Sequence, residues 1–555
     1  MVDGRILRSV TIGNPQDVMT SSLQLFLQGI ASAANLRKSL LVRLAAPVDG
    51  ASLAFFRIAF GGILLWEVSR FFTGGWIDFY WVEPQFHFSY SGFDWIKPWP
   101  GIGMELHWAA LGILAASIML GAKYRIAAPL FFLGFTYGFL LDQSYYLNHF
   151  YLITLISFLL IFIPAHRHYS VDSVLNPKLS AMRVPAWSVW LIRFQIGVPF
   201  FFGGIAKING DWLRGEPLRL WLGDFLGFPI LERWFTNETV VLGMTYGALI
   251  IDLGAVFLML NRRTRIFGYL ILLVFNLMNA RLFVIGIFPW FLIAATLILF
   301  PQDWPRRVLR DIKNRHHFRF PALVTGAIVG FAIGALLPTG FSLVHVLVGA
   351  IGIAVAAYHL DEPFKRTEQA VGAEMPVTRA ARESRRSESA PPVITPMRSW
   401  ALVLLGVWVA AQLVIPIRHL AIPGNVAWTE EGNYFAWHMI LKDKIGYGEF
   451  TVSDPATGEG WIVHPSDFLN ERQERKMSAR PQMILDFAGY LEELLEAEGY
   501  QGWEVRGRFF ASLNGRKDQP LIKPEVDLTE VSDPWMSHAD WILPLEIPLS
   551  DRKSE

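Results

Sequence analysis

The sequence predicts a mainly α polytopic membrane helix bundle, of about 11 spans, with a C-terminal extramembrane α+β domain. Three observations predict it. Hydrophobic residues make up 53% of the 555 residues and charged ones 17%, against roughly 25% charged in an ordinary soluble protein. The apolar residues gather in runs long enough to cross about 30 Å of hydrocarbon. Residues 418–555 then change character, with 24 Asp+Glu against 14 Lys+Arg and shorter, patterned segments. The near balance of 49 Lys+Arg and 48 Asp+Glu argues against a disordered chain and against nucleic acid as a partner. With no Cys, disulfides, thiolate nucleophiles and Cys-ligated metals are excluded.

The apolar runs fall at about 52–71, 105–121, 126–141, 148–164, 187–206, 239–260, 265–281, 284–300, 321–338, 341–358 and 399–416. Orientation follows from the Lys/Arg of the loops. With a cytoplasmic N-terminus the inner segments hold 26 Lys/Arg and the outer ones 7, and an odd number of spans puts the C-terminal domain outside the cytoplasm. Residues 1–48 form a cytoplasmic N-terminal segment, with an interfacial helix starting at Asn14–Pro15, and carry no cleavable signal peptide. Residues 49–305 form a transmembrane domain and 306–417 add further transmembrane helices around a cytoplasmic linker, 361–397, rich in Arg, Glu, Ser and Pro. In 418–555, Glu449–Pro465 and Trp503–Pro524 read as hairpins, with turns near Pro455–Gly460 and Asn514–Gly515. Pro481–Tyr500 reads as an amphipathic helix, with Ile484, Leu485, Phe487, Leu491, Leu494 and Leu495 on one side.

A polar group at membrane depth is costly and marks function by default. Arg57 and Arg193 lie near the inner ends of their spans, where long side chains snorkel to the interface. Lys207 ends the fifth span on the outer side, about 21 Å along a helix from Arg193. Gly203 and Gly204 beside it admit a close helix or a flat ligand. Apolar walls disfavour the charged amine, and a neutral amine is a base; an interfacial anchor is the alternative. Asn148 and His149 stand at the outer junction of the third and fourth spans, where His149 could donate a hydrogen bond to a developing oxyanion. Asn276, Asn279 and Arg281 occupy the outer part of the seventh span, with helix–helix bonding the alternative for Asn276. Asp252, in the inner half of the sixth span, is expected to pair with Arg193. The topology brings the Lys207, Asn148–His149 and Asn276–Arg281 clusters to one depth, in one pocket beneath the C-terminal domain. His149, His166 and His168 do not make a metal set, because the last two fall on the opposite side of the membrane.

Phe202-Gly-Gly-Ile-Ala-Lys207-Ile-Asn-Gly-Asp-Trp212 resembles the lysine motif of the vitamin K-dependent γ-glutamyl carboxylase family. Asn148-His149, Tyr169-Ser-Val-Asp172, Met278-Asn-Ala-Arg-Leu-Phe-Val-Ile-Gly-Ile-Phe288 and Trp304-Pro-Arg306 fit the same family. Pro47-Val-Asp-Gly50 is similar to bacterial members grouped as horizontally transferred transmembrane (HTTM) domain proteins. Trp428…Trp437-His-Met439 and Ser512-Leu-Asn-Gly-Arg516…Pro524-Glu-Val-Asp527 extend the resemblance through the C-terminal domain.

The resemblance implies an enzyme, a carbon–carbon lyase and epoxidase. Its cofactor would be reduced vitamin K or another naphthoquinol, with O₂ and CO₂ as co-substrates and no metal. The hydroquinone is deprotonated and oxygenated to an epoxide while the γ-carbon of a peptide glutamate is carboxylated. Carried over by position, Lys207 would be the base and His149 would stabilise charge. Asn148, Gly203, Gly204, Asn276, Asn279 and Arg281 would lie around the quinone, and Trp428, Trp437 and Arg516 on the peptide side. The partners implied are a lipid-soluble quinone, a Glu-containing peptide or protein, and membrane lipids, in a bacterial inner membrane. The chain departs from animal members in lacking Cys, hence their disulfide, and in Gly432–Trp437. Its outer domain carries −10, which a local basic patch (Arg506, Arg508, Arg516, Lys517) could offset for an acidic peptide. Two other readings stand beside this one: a quinol epoxidase or oxygenase without peptide carboxylation, and a non-enzymatic lipid or solute carrier.

Overall fold

The structure is a computed structural model that describes residues 39–223, 237–283, 285–313, 399–531 and 537–550, with Val348 and Ile351. Nine of the apolar runs lie within these residues and each forms a helix. They are α1 (Ala51–Thr73), α2 (Gly103–Leu120), α3 (Tyr124–Leu140), α4 (Asn148–Phe162), α5 (Ala186–Ala206), α6 (Glu238–Leu260), α7 (Arg265–Leu282), α8 (Phe288–Ala295) and α9 (Ser399–Val414). Six are long and apolar enough to cross a membrane: α1, α2, α5, α6, α7 and Trp400–Ala421, which extends α9. Tyr124–Leu140, Asn148–Phe162 and Phe288–Leu299 are shorter apolar helices. The runs at 321–338 and 341–358, the helix expected from Asn14 and the linker 361–397 lie outside the described residues.

Among the described residues, 39–48, 185–187 and 399–408 group as one unit, in which the Ala186 N–H donates to the Ala46 carbonyl at 2.8 Å. The other described residues form a second unit, which holds most of the helices and the C-terminal domain. Here α1 and α2 pack at a crossing fixed by Gly61, where a Cβ would come within 2.5 Å of the Met119 nitrogen. Only glycine allows that approach.

The end of the bundle where α1 begins is held by polar contacts, and these correct two expectations. Arg57 does not snorkel. It is fully buried and donates to the carbonyls of Ala165 (3.1 Å), Ile118 (2.7 Å), Met119 (2.6 Å) and Tyr169 (2.5 Å). Two of these are among the last carbonyls of α2, the end of a helix that a cation complements. Arg193 neither snorkels nor meets Asp252. It donates to Ile298 O and Phe300 O, both at 2.8 Å, and stacks over Trp190. Nearby, Arg306 forks onto Asp49 with two 3.0 Å bonds, and Asp172 accepts from the Lys123 and Tyr124 amides. Three of the motifs, Pro47–Gly50, Tyr169–Asp172 and Trp304–Arg306, thus serve architecture.

The C-terminal domain has a four-stranded antiparallel sheet in the order β2-β1-β3-β4, with β1 Lys444–Ser453, β2 Gly460–Val463, β3 Glu504–Leu513 and β4 Gln519–Pro520. The two expected hairpins are β1–β2 and β3–β4, and they join through the long β1–β3 pairing. Two helices follow β2: α10 (Glu471–Met477) and α11 (Pro481–Ala497). α11 buries Met483, Ile484, Phe487, Leu491 and Leu495 in a core shared with Phe450, Val505 and Phe509. Burial of such side chains contributes about 1.5–3 kcal/mol each.

Candidate functional site

The site is built where α4 and α8 begin and α5 and α7 end. One segment of the C-terminal domain, residues 433–442, reaches into this end of the bundle. The Asn148 side chain donates to His438 O at 3.0 Å and its own carbonyl accepts from the Tyr146 hydroxyl at 3.1 Å. Trp437 is buried against Tyr151, with ring centroids 4.9 Å apart. Met439 comes up against Gly203, where a Cβ would stand 3.1 Å from its Cε.

This segment splits the space into two adjoining cavities, where one had been expected. The larger, about 1280 Å³, is lined by Asn148, His149, Glu67, Arg70, Lys442, Arg472, Lys476 and Arg480 among others. The smaller, about 560 Å³, is lined by Lys207, Asp252, Asn276 and Asn279 and otherwise by apolar residues, most of them on α5, α6, α7 and α8, with Trp212, Leu218 and Trp221 from the stretch after α5. Ile285, Phe288, Met439 and Ile440 line both. His149 stacks on Phe288, centroids 5.6 Å apart, so it stands on the larger-cavity side of that shared wall.

Lys207 is buried at 4% exposure. Its Nζ donates to Asp252 Oδ2 at 2.8 Å and to Gly203 O at 3.4 Å, over the Trp212 ring. Asp252 therefore pairs with Lys207 and not with Arg193. The reason is depth: α5 ends level with the middle of α6, where a Cβ on Gly204 would meet Leu253 within 2.7 Å. Gly203 and Gly204 thus accommodate Met439 and α6, and neither lines a cavity. Asn276 donates to Leu272 O at 2.8 Å in the same helix. Arg281 is buried and lines neither cavity.

The residues expected on the peptide side are placed differently. Trp428 lies in the C-terminal core and donates to Leu543 O at 2.7 Å. Trp437 belongs to the inserted segment and is packed against Tyr151. Arg516 is 5% exposed and engaged with Asp211. What sequence reading missed is a cation group on and after α10: Arg472, Lys476 and Arg480, all lining the larger cavity. Arg480 donates to the Tyr434 hydroxyl at 2.6 Å, and Arg472 lies over the Tyr80 and Tyr145 rings. The positive charge of Arg480, then burial, brings the Lys476 amine down to about 7. The other charges of the wall are engaged: Glu67 with Arg70, Lys442 with Glu430, Asp211 with Arg516, and Asp142, which accepts from the Gln473 amide. The signal was present in Arg472-Gln-Glu-Arg-Lys-Met-Ser-Ala-Arg480, whose spacing is cationic amid an acidic domain. Among the described residues, no group of three or more His, Asp or Glu side chains is placed to hold a metal ion.

The chain matches the HTTM domain family over residues 45–304 and the vitamin K-dependent gamma-carboxylase lumenal domain family over residues 397–547. No solved structure matches it. Apolar helices, a C-terminal α+β domain and these two matches define a vitamin K-dependent carboxylase-like membrane protein. The chain belongs to the gamma-glutamyl carboxylase family.

Proposed function

We propose that the protein is a vitamin K-dependent carboxylase that couples oxygenation of a naphthohydroquinone in the smaller cavity to carboxylation of a peptide glutamate in the larger one. The observation that carries this reading is the buried amine of Lys207, the one amine among the described residues that lines an apolar cavity adjoining a cation-lined one. The smaller cavity fits such a ligand. Its volume of about 560 Å³ falls within the range of roughly 300–1,000 Å³ for small-molecule sites, and its lining is apolar with a few polar groups. When bound and oxygenated, the hydroquinone supplies the strong base that takes the glutamate γ-proton. Lys207 Nζ holds the proton removed from the quinol hydroxyl, and Asn276 and Asn279 orient the ring. Arg472, Lys476 and Arg480 bind the substrate carboxylate by charge-assisted hydrogen bonds. His149 donates to developing negative charge at the wall shared by the two cavities. Phe288, Met439 and Ile440 keep water from the smaller cavity.

The test uses purified protein in detergent with a reduced naphthoquinone and oxygen, with and without a Glu peptide. Lys207→Ala should abolish epoxide formation but not hydroquinone binding. A small exogenous amine should restore part of it, because the cavity admits one. Lys207→Arg should not rescue, since guanidinium stays protonated. Wild-type output from the Arg variant would make Lys207 an anchor and overturn the reading. Epoxide without any carboxylated peptide would point instead to a quinol oxygenase.

A further inference from the structure

The Lys207–Asp252 pair poses a problem for the reading just given. An amine already hydrogen-bonded to a carboxylate at 2.8 Å must part with the proton between them before it can act as a base. Both side chains are nearly closed off from solvent, at 5% and 7% exposure. No other charged or titratable side chain lines this cavity among the described residues. On the packed elements, Arg281 of α7 lines neither cavity, and His438 and Lys442 belong to the larger one. Asp211, four residues beyond Lys207, is bound by Arg516. Solvent and neighbouring groups therefore offer no short route for the proton that Lys207 must shed.

We infer that Asp252 is a positioning residue that stores this proton. The N–H bond breaks with its electron pair left on Nζ, and the proton bonds to Oδ2 along the existing hydrogen bond. The ammonium–carboxylate pair becomes an amine beside a carboxylic acid, with no atom or charge leaving the pair. The lone pair on Nζ can then accept a proton from a hydroxyl group in the cavity. The pair ends as an ammonium beside a carboxylic acid, its positive charge matched by the new oxyanion. The placement explains why a carboxylate stands on α6 in apolar surroundings, where an unpaired one would be strongly disfavoured. The inference rests on Lys207 being the base, but it also makes a prediction about the protein without quinone.

The fraction of pair present as amine and acid does not depend on pH while the pair keeps its one proton, because the tautomers have the same composition. The test is reductive methylation of the full-length protein in lipid nanodiscs, read at Lys207 by peptide mass spectrometry across about pH 6 to 9. In wild type the Lys207 rate, corrected for reagent, should stay within about twofold over that range, and Asp252→Glu should do the same. In Asp252→Asn the amine can exchange its proton only with solvent, so the rate should climb by about tenfold per pH unit until the lysine has titrated. A sloping profile in wild type or Asp252→Glu overturns the inference. Failure of the underlying reading looks different: Lys207→Ala would then form epoxide at the wild-type rate, whatever the labelling shows.

Discussion

Arg516, in the turn after β3, forks onto Asp211, with Nη1 2.7 Å from Oδ2 and Nη2 2.8 Å from Oδ1. Asn514 adds a third bond to the same carboxylate at 2.8 Å. Asp211 follows Lys207 by one loop, so the C-terminal domain grips the chain just beyond the buried amine. Removing one partner of a buried, bidentate pair strands the other charge. Arg516→Ala should therefore cost about 3 kcal/mol of stability, and the Asp211→Ala/Arg516→Ala pair clearly less than the two single changes combined. Thermal unfolding of the solubilised protein measures both.

The same contact sets an acid limit. Burial alone would raise the Asp211 carboxyl, but the bonds from Arg516 and Asn514 outweigh it and hold the carboxyl below its ordinary value. A group depressed in the folded state stabilises above its unfolded value, near about 3.9, and the gain is lost as pH falls through the folded value. Asp211→Asn should flatten the loss of stability below about pH 4. An unchanged acid profile would show that other carboxylates dominate.

Lys476 gives two pH effects of opposite sign. Its amine lies at about 7 through repulsion by Arg480, then burial. The unfolded chain keeps the proton up to about 10.4, so this group adds stability as pH rises through 7. A bound carboxylate needs the charged form, so affinity should fall over the same interval. The KM for a Glu peptide should rise several-fold from about pH 6 to 8. Lys476→Met should raise KM at pH 6 and remove the dependence. A KM that ignores pH in wild type would place the peptide carboxylate elsewhere.

His149→Ala should lower turnover by about 10²–10³ if the imidazole donates to developing charge. Folding and quinone binding should stay near normal, because the ring's neighbour Phe288 remains to close the shared wall. An unextractable protein would instead assign His149 a packing role.

The loop charges, 26 Lys/Arg inside against 7 outside, predict the orientation. A reporter active only outside the cytoplasm should work when fused after residue 417 and fail within 361–397. The reverse result would turn the whole bundle over.

How far the sequence could be read depended on whether the partner leaves a local trace. The hairpins around Pro455–Gly460 and Asn514–Gly515 were legible, because alternation and turn residues are properties of neighbours in the chain. Apolar helices were legible for the same reason, and so was the presence of Lys207 and His149 as polar groups beside spans. The fates of Arg57 and Arg193 were not. Their partners are backbone carbonyls as distant as Ala165 and Phe300, and a carbonyl has no signature in the sequence. Nor was the partner of Asp252 legible. Hydropathy marks where a span lies but not that α5 stops beside the middle of α6, and that offset alone moves Asp252 from Arg193 to Lys207. The cation group at Arg472, Lys476 and Arg480 was visible as letters. That the three line one cavity appeared only once α10 faced the bundle.

The segment that divides the two cavities has a consequence for modularity. Glu430, Phe435, Trp437 and Ile440 all adopt left-handed backbone conformations, with φ of 66°, 63°, 61° and 51°. Each costs roughly 1–2 kcal/mol for a residue with a side chain, and such conformations persist only when their surroundings over-determine them. Here the surroundings come from both parts of the unit: Asn148, Tyr151 and Gly203 on one side, the sheet domain on the other. The partition is thus a spring held at both ends. The C-terminal domain, cut free and grafted onto another bundle, would let it recoil, so the two parts are interchangeable between relatives only as a matched set.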